Sequence, residues 1–154
     1  MQIFLALVLV NMAAIQTPRS LQRSAPLAVR AVINGDTIDV LTVGRVRLLG
    51  IDAPEIGSAG SLGREARDRL AALVLHRFVR LEREAASSGQ VSARRRAYVV
   101  REDGVFVNAV LVREGLARVS ARMPVARLGE LESAEKEART YRRGLWKHTR
   151  LGPE

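Results

Sequence analysis

Cysteine is absent from this 154-residue chain, and histidine occurs only twice. Without cysteine there can be no disulfide, no zinc–thiolate site and no thiol nucleophile. His76 and His148 alone cannot form a histidine-rich metal site, so a bound metal would need oxygen ligands, which favours calcium or magnesium. Aromatic residues make up 4% of the chain, so surfaces for stacking a planar ligand are scarce.

Lysine is also nearly absent, although the net charge is +9 and the pI is about 11.3. Of the 25 basic residues, only Lys136 and Lys147 are lysines. A planar guanidinium binds phosphate through two parallel hydrogen bonds, so the arginine content favours a polyanionic partner. The alternative is that the charge only keeps the protein in solution. The length, with 47% hydrophobic and 27% charged residues, predicts one globular domain.

The amino terminus contains an apolar run over residues 3–15, interrupted only by Asn11. As a helix it would extend about 20 Å, short of the ~30 Å hydrocarbon core of a bilayer. We therefore expect residues 1–26 to be a signal peptide or short anchor followed by a linker over 16–26, in a secreted or extracytoplasmic protein. A segment packed on the domain is the alternative.

The apolar pattern then predicts a barrel with helices. Asn34-Gly35 is typical of a tight hairpin with positive φ angles, and the helical periods end near Gly115 and Gly144. Five short strands with a helix after the third predict an α+β fold, mainly β: a five-stranded Greek-key barrel of the OB type with three α-helices. The domain is expected over 27–148, with a tail over 149–154. Strands are predicted at 27–33, 37–43, 46–51, 78–84 and 97–101, and helices at 63–77, from Val107, and at 126–143, the last with Leu128, Leu131, Ala134, Ala138 and Tyr141 inward.

Two aspartates in this meander could share a hard cation. Asp36 follows the first hairpin turn, and Asp52 begins Asp-Ala-Pro-Glu at the end of the third strand. Pro54 favours an extended Ala53, whose carbonyl could face the metal. Taken singly, each carboxylate could equally belong to an ordinary turn.

Arg47 adds a geometric condition. Strict alternation along a strand puts Arg47 and Asp52 on opposite faces, so a shared site requires the chain to bend or bulge near Gly50.

Several motifs follow one another with compatible spacing: Asn34-Gly35-Asp36-Thr37, the segment 47–55, Ala97-Tyr98-Val99-Val100, Asp103-Gly104, Val107-Asn108, the segment 111–117 and Gly144-Leu145-Trp146. Together they resemble the thermonuclease (staphylococcal nuclease-like) family. The resemblance covers roughly residues 29 to 146. It implies that Asp36, Asp52 and the Ala53 carbonyl bind Ca²⁺.

The same resemblance implies catalytic roles for Arg47, Glu55 and Arg94. The Arg94 assignment comes from counting back from Ala97, and a shift of one register would substitute a neighbouring arginine. The implied activity is calcium-dependent hydrolysis of DNA or RNA phosphodiester bonds to 3′-phosphate products, on a preferably single-stranded substrate. No obligate protein partner is implied, and we expect a monomer.

Departures from the family pattern leave other functions open. The turn usual before the Ala97 strand reads Gln90 to Arg94, and two positions that stack on a base in some members are Ala121 and Met123. We therefore expect weak single-strand affinity and little base preference. One alternative is a catalytically weak or inactive nucleic-acid-binding module on the same barrel. Another is an interaction domain that uses the basic helix 126–143 against an acidic partner or anionic membrane.

Overall fold

The computed structural model describes residues 20–57, 60–84, 95–120 and 126–148. The predicted segments through residue 19 and over 149–154 lie outside these ranges. The described elements are the strands β1 (Leu21–Arg23), β2 (Leu27–Asn34), β3 (Thr37–Val40), β4 (Gly44–Leu48), β5 (Ile51–Asp52), β6 (Phe78–Glu84), β7 (Arg96–Arg101) and β8 (Arg118–Val119), the helices α1 (Leu62–Val74), α2 (Val107–Arg113) and α3 (Leu128–Thr140), and a 3-10 turn at Gly144–Trp146.

Five strands close into a barrel in the order β6-β2-β3-β4-β7, because β7 pairs back onto β6. The β4–β7 pairing is parallel, and the other barrel pairings are antiparallel. Outside the barrel, β5 and β8 form a two-stranded antiparallel ladder. The prediction of an OB-type α+β fold with a five-stranded barrel and three helices is confirmed. None of the described helices is both long and apolar enough to cross a membrane.

The helices cover the barrel with the apolar faces that their sequence period predicts. In α1, Ala66, Leu70 and Val74 are fully buried, and a buried leucine side chain contributes roughly 1.5–3 kcal/mol. The inward face of α3 is confirmed for Leu131, Ala134 and Ala138. The prediction for Tyr141 is wrong: it is 66% exposed, with the Arg143 guanidinium 4.9 Å from its ring.

Three strand predictions differ from the structure. The strand predicted over 37–43 ends three residues earlier, in a turn. The third predicted strand is split into β4 and β5, because Gly50 adopts a φ of +79° that a continuous strand cannot contain. The predicted linker includes β1, which pairs with β6 from Leu21 opposite Glu84 to Arg23 opposite Glu82. A three-residue strand is too short to produce an alternation that sequence analysis can detect.

The glycine of the β2–β3 turn is needed for packing. The expectation of positive φ angles at Asn34-Gly35 is wrong, since neither residue is among those with positive φ. A Cβ on Gly35 would instead lie 2.6 Å from the Cβ of Ala66 and 2.7 Å from that of Ala53. The missing side chain therefore lets the turn, α1 and the chain after β5 meet at one point.

Candidate active site

The sharp bend at Gly50 brings Arg47 and Asp52 together. β4 ends at Leu48 and β5 begins at Ile51. The bend between them breaks the alternation of side chains between the two faces of the strand. Nη2 of Arg47 lies 2.5 Å from Oδ1 of Asp52. The predicted bend is therefore confirmed, since an unbroken strand would separate these side chains.

Asp36 is held in the β2–β3 turn by local hydrogen bonds. Asp36 is buried, with 3% of its surface exposed, and its backbone amide donates a hydrogen bond to Oδ1 of Asn34 at 3.1 Å. The carboxylate accepts from the Thr37 hydroxyl at 2.9 Å and from the Ala53 amide at 3.2 Å. These bonds connect the first hairpin to the chain that follows β5, so Asp36 is positioned from both sides.

One guanidinium nitrogen connects both aspartates. Nη2 of Arg47 also lies 3.1 Å from Oδ2 of Asp36, so oxygens from Asp36 and Asp52 converge on a single cationic atom. Both contacts use Nη2, and a guanidinium has five N–H groups, so Arg47 has further donors for a phosphate. The two aspartates predicted to bind a metal are thus neighbours in the fold.

Asp36, Arg47 and Asp52 line a cleft of about 410 Å³. Glu55 also lines it and is exposed to solvent, and Arg118 and Leu145 contribute from later parts of the chain. The cleft therefore places a possible proton acceptor beside acidic and guanidinium groups, at the end of the barrel where β4 and β5 meet.

The helix after the cleft fixes the main chain of Glu55. Gly63, the second residue of α1, is buried, and a Cβ there would lie 2.4 Å from the Glu55 carbonyl oxygen and 2.9 Å from Cα of Ile56. Such an approach is possible only for glycine. The first turn of α1 therefore packs directly against the backbone that presents Glu55.

The donor set suits a hard cation. Carboxylate and main-chain carbonyl oxygens are the ligands that calcium prefers, and oxygens of Asp36 and Asp52 already surround one cationic nitrogen. Within the described ranges, no group of three or more His, Cys, Asp or Glu side chains is arranged to hold a metal. A cation here would therefore need the Ala53 carbonyl and water or substrate oxygens to complete its coordination.

Other predicted site residues lie outside the described ranges. Arg94 is one, as are Ala121 and Met123 at the suggested stacking positions. Of the neighbouring arginines, Arg96 is described: it is exposed and lies directly opposite Arg47 in the parallel β4–β7 pairing. The assignment of Arg94 as the second arginine at the substrate therefore stays a prediction.

Sequence reasoning gave no role to two residues that organise this region. Asn108 is completely buried; its side chain donates to the Leu49 carbonyl at 2.9 Å and accepts from the Val99 amide at 3.0 Å. It thereby secures the chain just before the Gly50 bend. Arg118 lies opposite Asp52 in the β5–β8 ladder. An asparagine in an apolar run was a detectable signal for the first, but only the fold reveals the second.

The five-stranded barrel, with a cleft lined by carboxylate and guanidinium groups, defines the chain as a protein of the OB-fold class. The sequence profile of the family described as "Staphylococcal nuclease homologue" matches residues 45–148. The chain belongs to this family.

Similarity to individual proteins extends over most of the chain. A protein named "Micrococcal nuclease" from Shigella flexneri is 37% identical over 123 residues, which are 75% of this chain and 70% of that protein. "Protein ParB" of Escherichia coli is 37% identical over 123 residues, covering 75% and 68%. "Thermonuclease" of Staphylococcus intermedius is 33% identical over 132 residues, covering 80% and 77%.

Proposed function

We propose that this protein is a calcium-dependent nuclease that hydrolyses phosphodiester bonds in DNA or RNA and leaves 3′-phosphate ends. The observation that carries the proposal is the convergence of Asp36, Arg47 and Asp52 in a cleft that Glu55 also lines. The family membership and the names of two relatives, a micrococcal nuclease and a thermonuclease, support it.

The cleft residues have different roles in the proposed hydrolysis. Asp36, Asp52 and the Ala53 carbonyl would hold Ca²⁺, which when bound would stabilise the negative charge that grows on the phosphate in the transition state. Arg47 and a second arginine, Arg94 by the family resemblance, donate hydrogen bonds to the non-bridging phosphate oxygens. Each such donor is worth about 2.7–4 kcal/mol in comparable sites.

Glu55 acts as the general base or orients the attacking water. The water oxygen bonds to phosphorus and its proton passes to Glu55, while the bond between phosphorus and the 5′ oxygen breaks. The departing oxygen takes up a proton and becomes a 5′-hydroxyl. The phosphate remains on the 3′ side of the cleaved link.

Composition supports the substrate class. An arginine-rich chain with a net charge of +9 attracts polyanions through counterion release. From the family resemblance we propose a single-stranded substrate, and because aromatic residues are few, we expect it to be bound weakly and with little base preference. We also propose that the protein acts as a monomer, exported through its amino-terminal apolar segment or tethered by it.

The decisive experiment measures release of acid-soluble nucleotides from denatured DNA with Ca²⁺ and with EGTA. We expect turnover only with Ca²⁺, and a large loss in Glu55→Gln. Glu102→Gln is the matched control, because Glu102 is exposed in the turn after β7, about 20 Å from the start of that strand at the cleft. Turnover that persists in EGTA would exclude the calcium mechanism.

The competing function is a nucleic-acid-binding module without turnover. It predicts that oligonucleotide binding is retained while no nucleotides are released under either condition. The cleft argues against this function, because among its described lining residues three carboxylates outnumber two arginines, and the excess negative charge repels a polyanion unless a cation is bound.

A further inference from the structure

Arg118 is a cleft arginine to which the proposed reaction assigns no role. It lies in β8, where its register partner in β5 is Asp52. The strand is fixed on both sides, because the Ser120 amide donates to the Gly50 carbonyl at 2.9 Å and the Val119 amide donates to Oε1 of Glu135 at 2.9 Å. These hydrogen bonds hold the backbone of β8 in place, and the Arg118 side chain lines the cleft.

The head of Arg118 is weakly engaged. Its side chain is 66% exposed, and its Nη2 lies 4.0 Å from Oδ2 of Asp52, beyond hydrogen-bonding distance. Arg69 provides the contrast: it forms two hydrogen bonds of 2.7 Å with Glu114. An arginine bound in that way has little capacity for another anion, whereas the Arg118 side chain donates no hydrogen bond to any residue that the structure describes.

The two cleft arginines lie near different oxygens of one carboxylate. Arg47 contacts Oδ1 of Asp52, whereas Arg118 faces Oδ2. The two guanidinium groups thus approach Asp52 through different oxygens, so that Arg118 can donate to a phosphate other than the one held by Arg47.

We infer that Arg118 binds a second phosphate of the substrate strand, next to the one held by Arg47, and so positions the strand in the cleft. This inference rests on the proposed function. A guanidinium at an exposed wall can form a bidentate contact with such a phosphate. Arg118 is therefore a positioning and affinity residue, distinct from the groups that contact the scissile phosphate.

The test is binding of a fluorescently labelled single-stranded DNA oligonucleotide, measured by anisotropy across a range of salt concentrations. It is done with Ca²⁺ in a Glu55→Gln background, so that cleavage is suppressed. Loss of one single-strand phosphate contact reduces the slope of log K against log salt by about 0.7, which corresponds to a roughly fivefold weaker Kd near 0.1 M salt. We expect both changes in Arg118→Gln, and a slope close to the parent value in Arg118→Lys.

Arg77→Gln is the matched control. Arg77 is exposed. It lies near Asp103, beyond the far end of β7: the pKa of the Asp103 carboxyl is lowered mainly by a hydrogen bond from Arg101 and to a smaller extent by the charge of Arg77. Unchanged Kd and slope in Arg118→Gln would overturn the inference. Equal weakening in the Gln and Lys variants with an unchanged slope would also overturn it, by assigning Arg118 a role in supporting β8.

The two proposals fail separately. A parent protein that releases nucleotides, combined with unaltered binding by Arg118→Gln, contradicts only the role of Arg118. A parent protein that releases none with Ca²⁺ contradicts the proposed function, whatever the Arg118 variants do.

Discussion

Two of the arginine and carboxylate clusters on this barrel differ in how completely their charges are paired. Each contains two acidic and two basic side chains, so a count of ion pairs would not distinguish them. The cleft cluster consists of Asp36, Arg47, Asp52 and Arg118. The buried cluster, named for the buried Glu82 at its centre, consists of Arg23, Glu82, Arg127 and Glu130, of which Arg23 and Glu130 are more than half exposed.

In the buried cluster, the central acid is paired on both oxygens. The Glu82 side chain is 6% exposed; Oε1 accepts from Nε of Arg23 at 2.9 Å and Oε2 accepts from Nη1 of Arg127 at 3.1 Å. Arg127 also forms two hydrogen bonds with Glu130 and lies 3.7 Å from the centre of the Phe106 ring. Burial alone would lower the pKa of Arg127, but the carboxylates of Glu130 and Glu82 raise it. This cluster fastens β1 and the start of α3 to the barrel.

In the cleft cluster, one nitrogen serves two carboxylates and the other groups face solvent. The side chains of Arg47, Asp52 and Arg118 are 48%, 40% and 66% exposed. The comparison teaches that incompletely paired charges on a fixed backbone mark the site, whereas a buried carboxylate paired on both oxygens marks a structural contact.

The largest effect is expected for Arg47→Ala, which should lower turnover of denatured DNA by about 100- to 1000-fold, since it removes a donor to the transition state. The free energy of unfolding should change by about 1 kcal/mol or less, because Asp36 keeps its bonds from Thr37 and Ala53. Rates at saturating Ca²⁺ and urea unfolding measure the two effects. Full activity in this variant would remove the distinction between the clusters.

Arg127→Gln should show the opposite pattern. It leaves the buried Glu82 with only one of its two cations, and we expect the free energy of unfolding to fall by about 3 kcal/mol. The folded fraction should keep its turnover. Arg67→Gln is the matched control, because Arg67 is exposed and paired only with exposed Asp68 at 3.5 Å among its described contacts, and it should cost less than about 0.5 kcal/mol. Equal losses in urea unfolding for the two variants would contradict the structural role of the buried cluster.

Gly63→Ala should displace the backbone of Glu55, because the new Cβ would overlap the Glu55 carbonyl. Overpacking of this kind costs about 1–3 kcal/mol, and turnover should fall together with stability. Gly129→Ala is a close control: Gly129 is likewise the second residue of a helix, but a Cβ there meets nothing within 4 Å. It should be neutral or stabilise by up to about 1 kcal/mol. Similar results for the two variants, by urea unfolding and nucleotide release, would contradict the close packing at Gly63.

The sequence was sufficient where local chemistry decides the structure. The Gly50 bend followed from requiring Arg47 and Asp52 to share a site, and the buried faces of α1 and α3 followed from helical period. It was insufficient where distant contacts decide. β1 forms because it pairs with β6, where Arg23 also bonds to Glu82. Position 35 requires glycine because a Cβ would overlap Ala66 and Ala53, and not because of a positive φ angle. Partners this far apart in the chain leave no local pattern.

The smallest effect concerns Tyr98, which lies beside the buried cluster. The residue is fully buried; its hydroxyl donates to Oε1 of Glu84 at 3.2 Å and accepts from the Arg127 amide at 3.3 Å. Burial is the main reason that its pKa is raised above 10.0. The stabilising contribution of this group is therefore complete below the unfolded pKa of 10.0 and is lost as the pH rises above it, since the unfolded chain then ionises first.

We therefore expect the free energy of unfolding to decrease between about pH 9 and about pH 11, with a slope of up to about 1.4 kcal/mol per pH unit above the ordinary tyrosine pKa. Tyr98→Phe should cost about 1 kcal/mol at neutral pH and should reduce that slope, because the buried phenol is the one whose ionisation differs between the folded and unfolded states. Tyr141→Phe is the matched control, since Tyr141 is 66% exposed, and it should keep the parent slope. Urea unfolding across this range measures both variants, and an unaltered slope in Tyr98→Phe would show that another group controls alkaline unfolding.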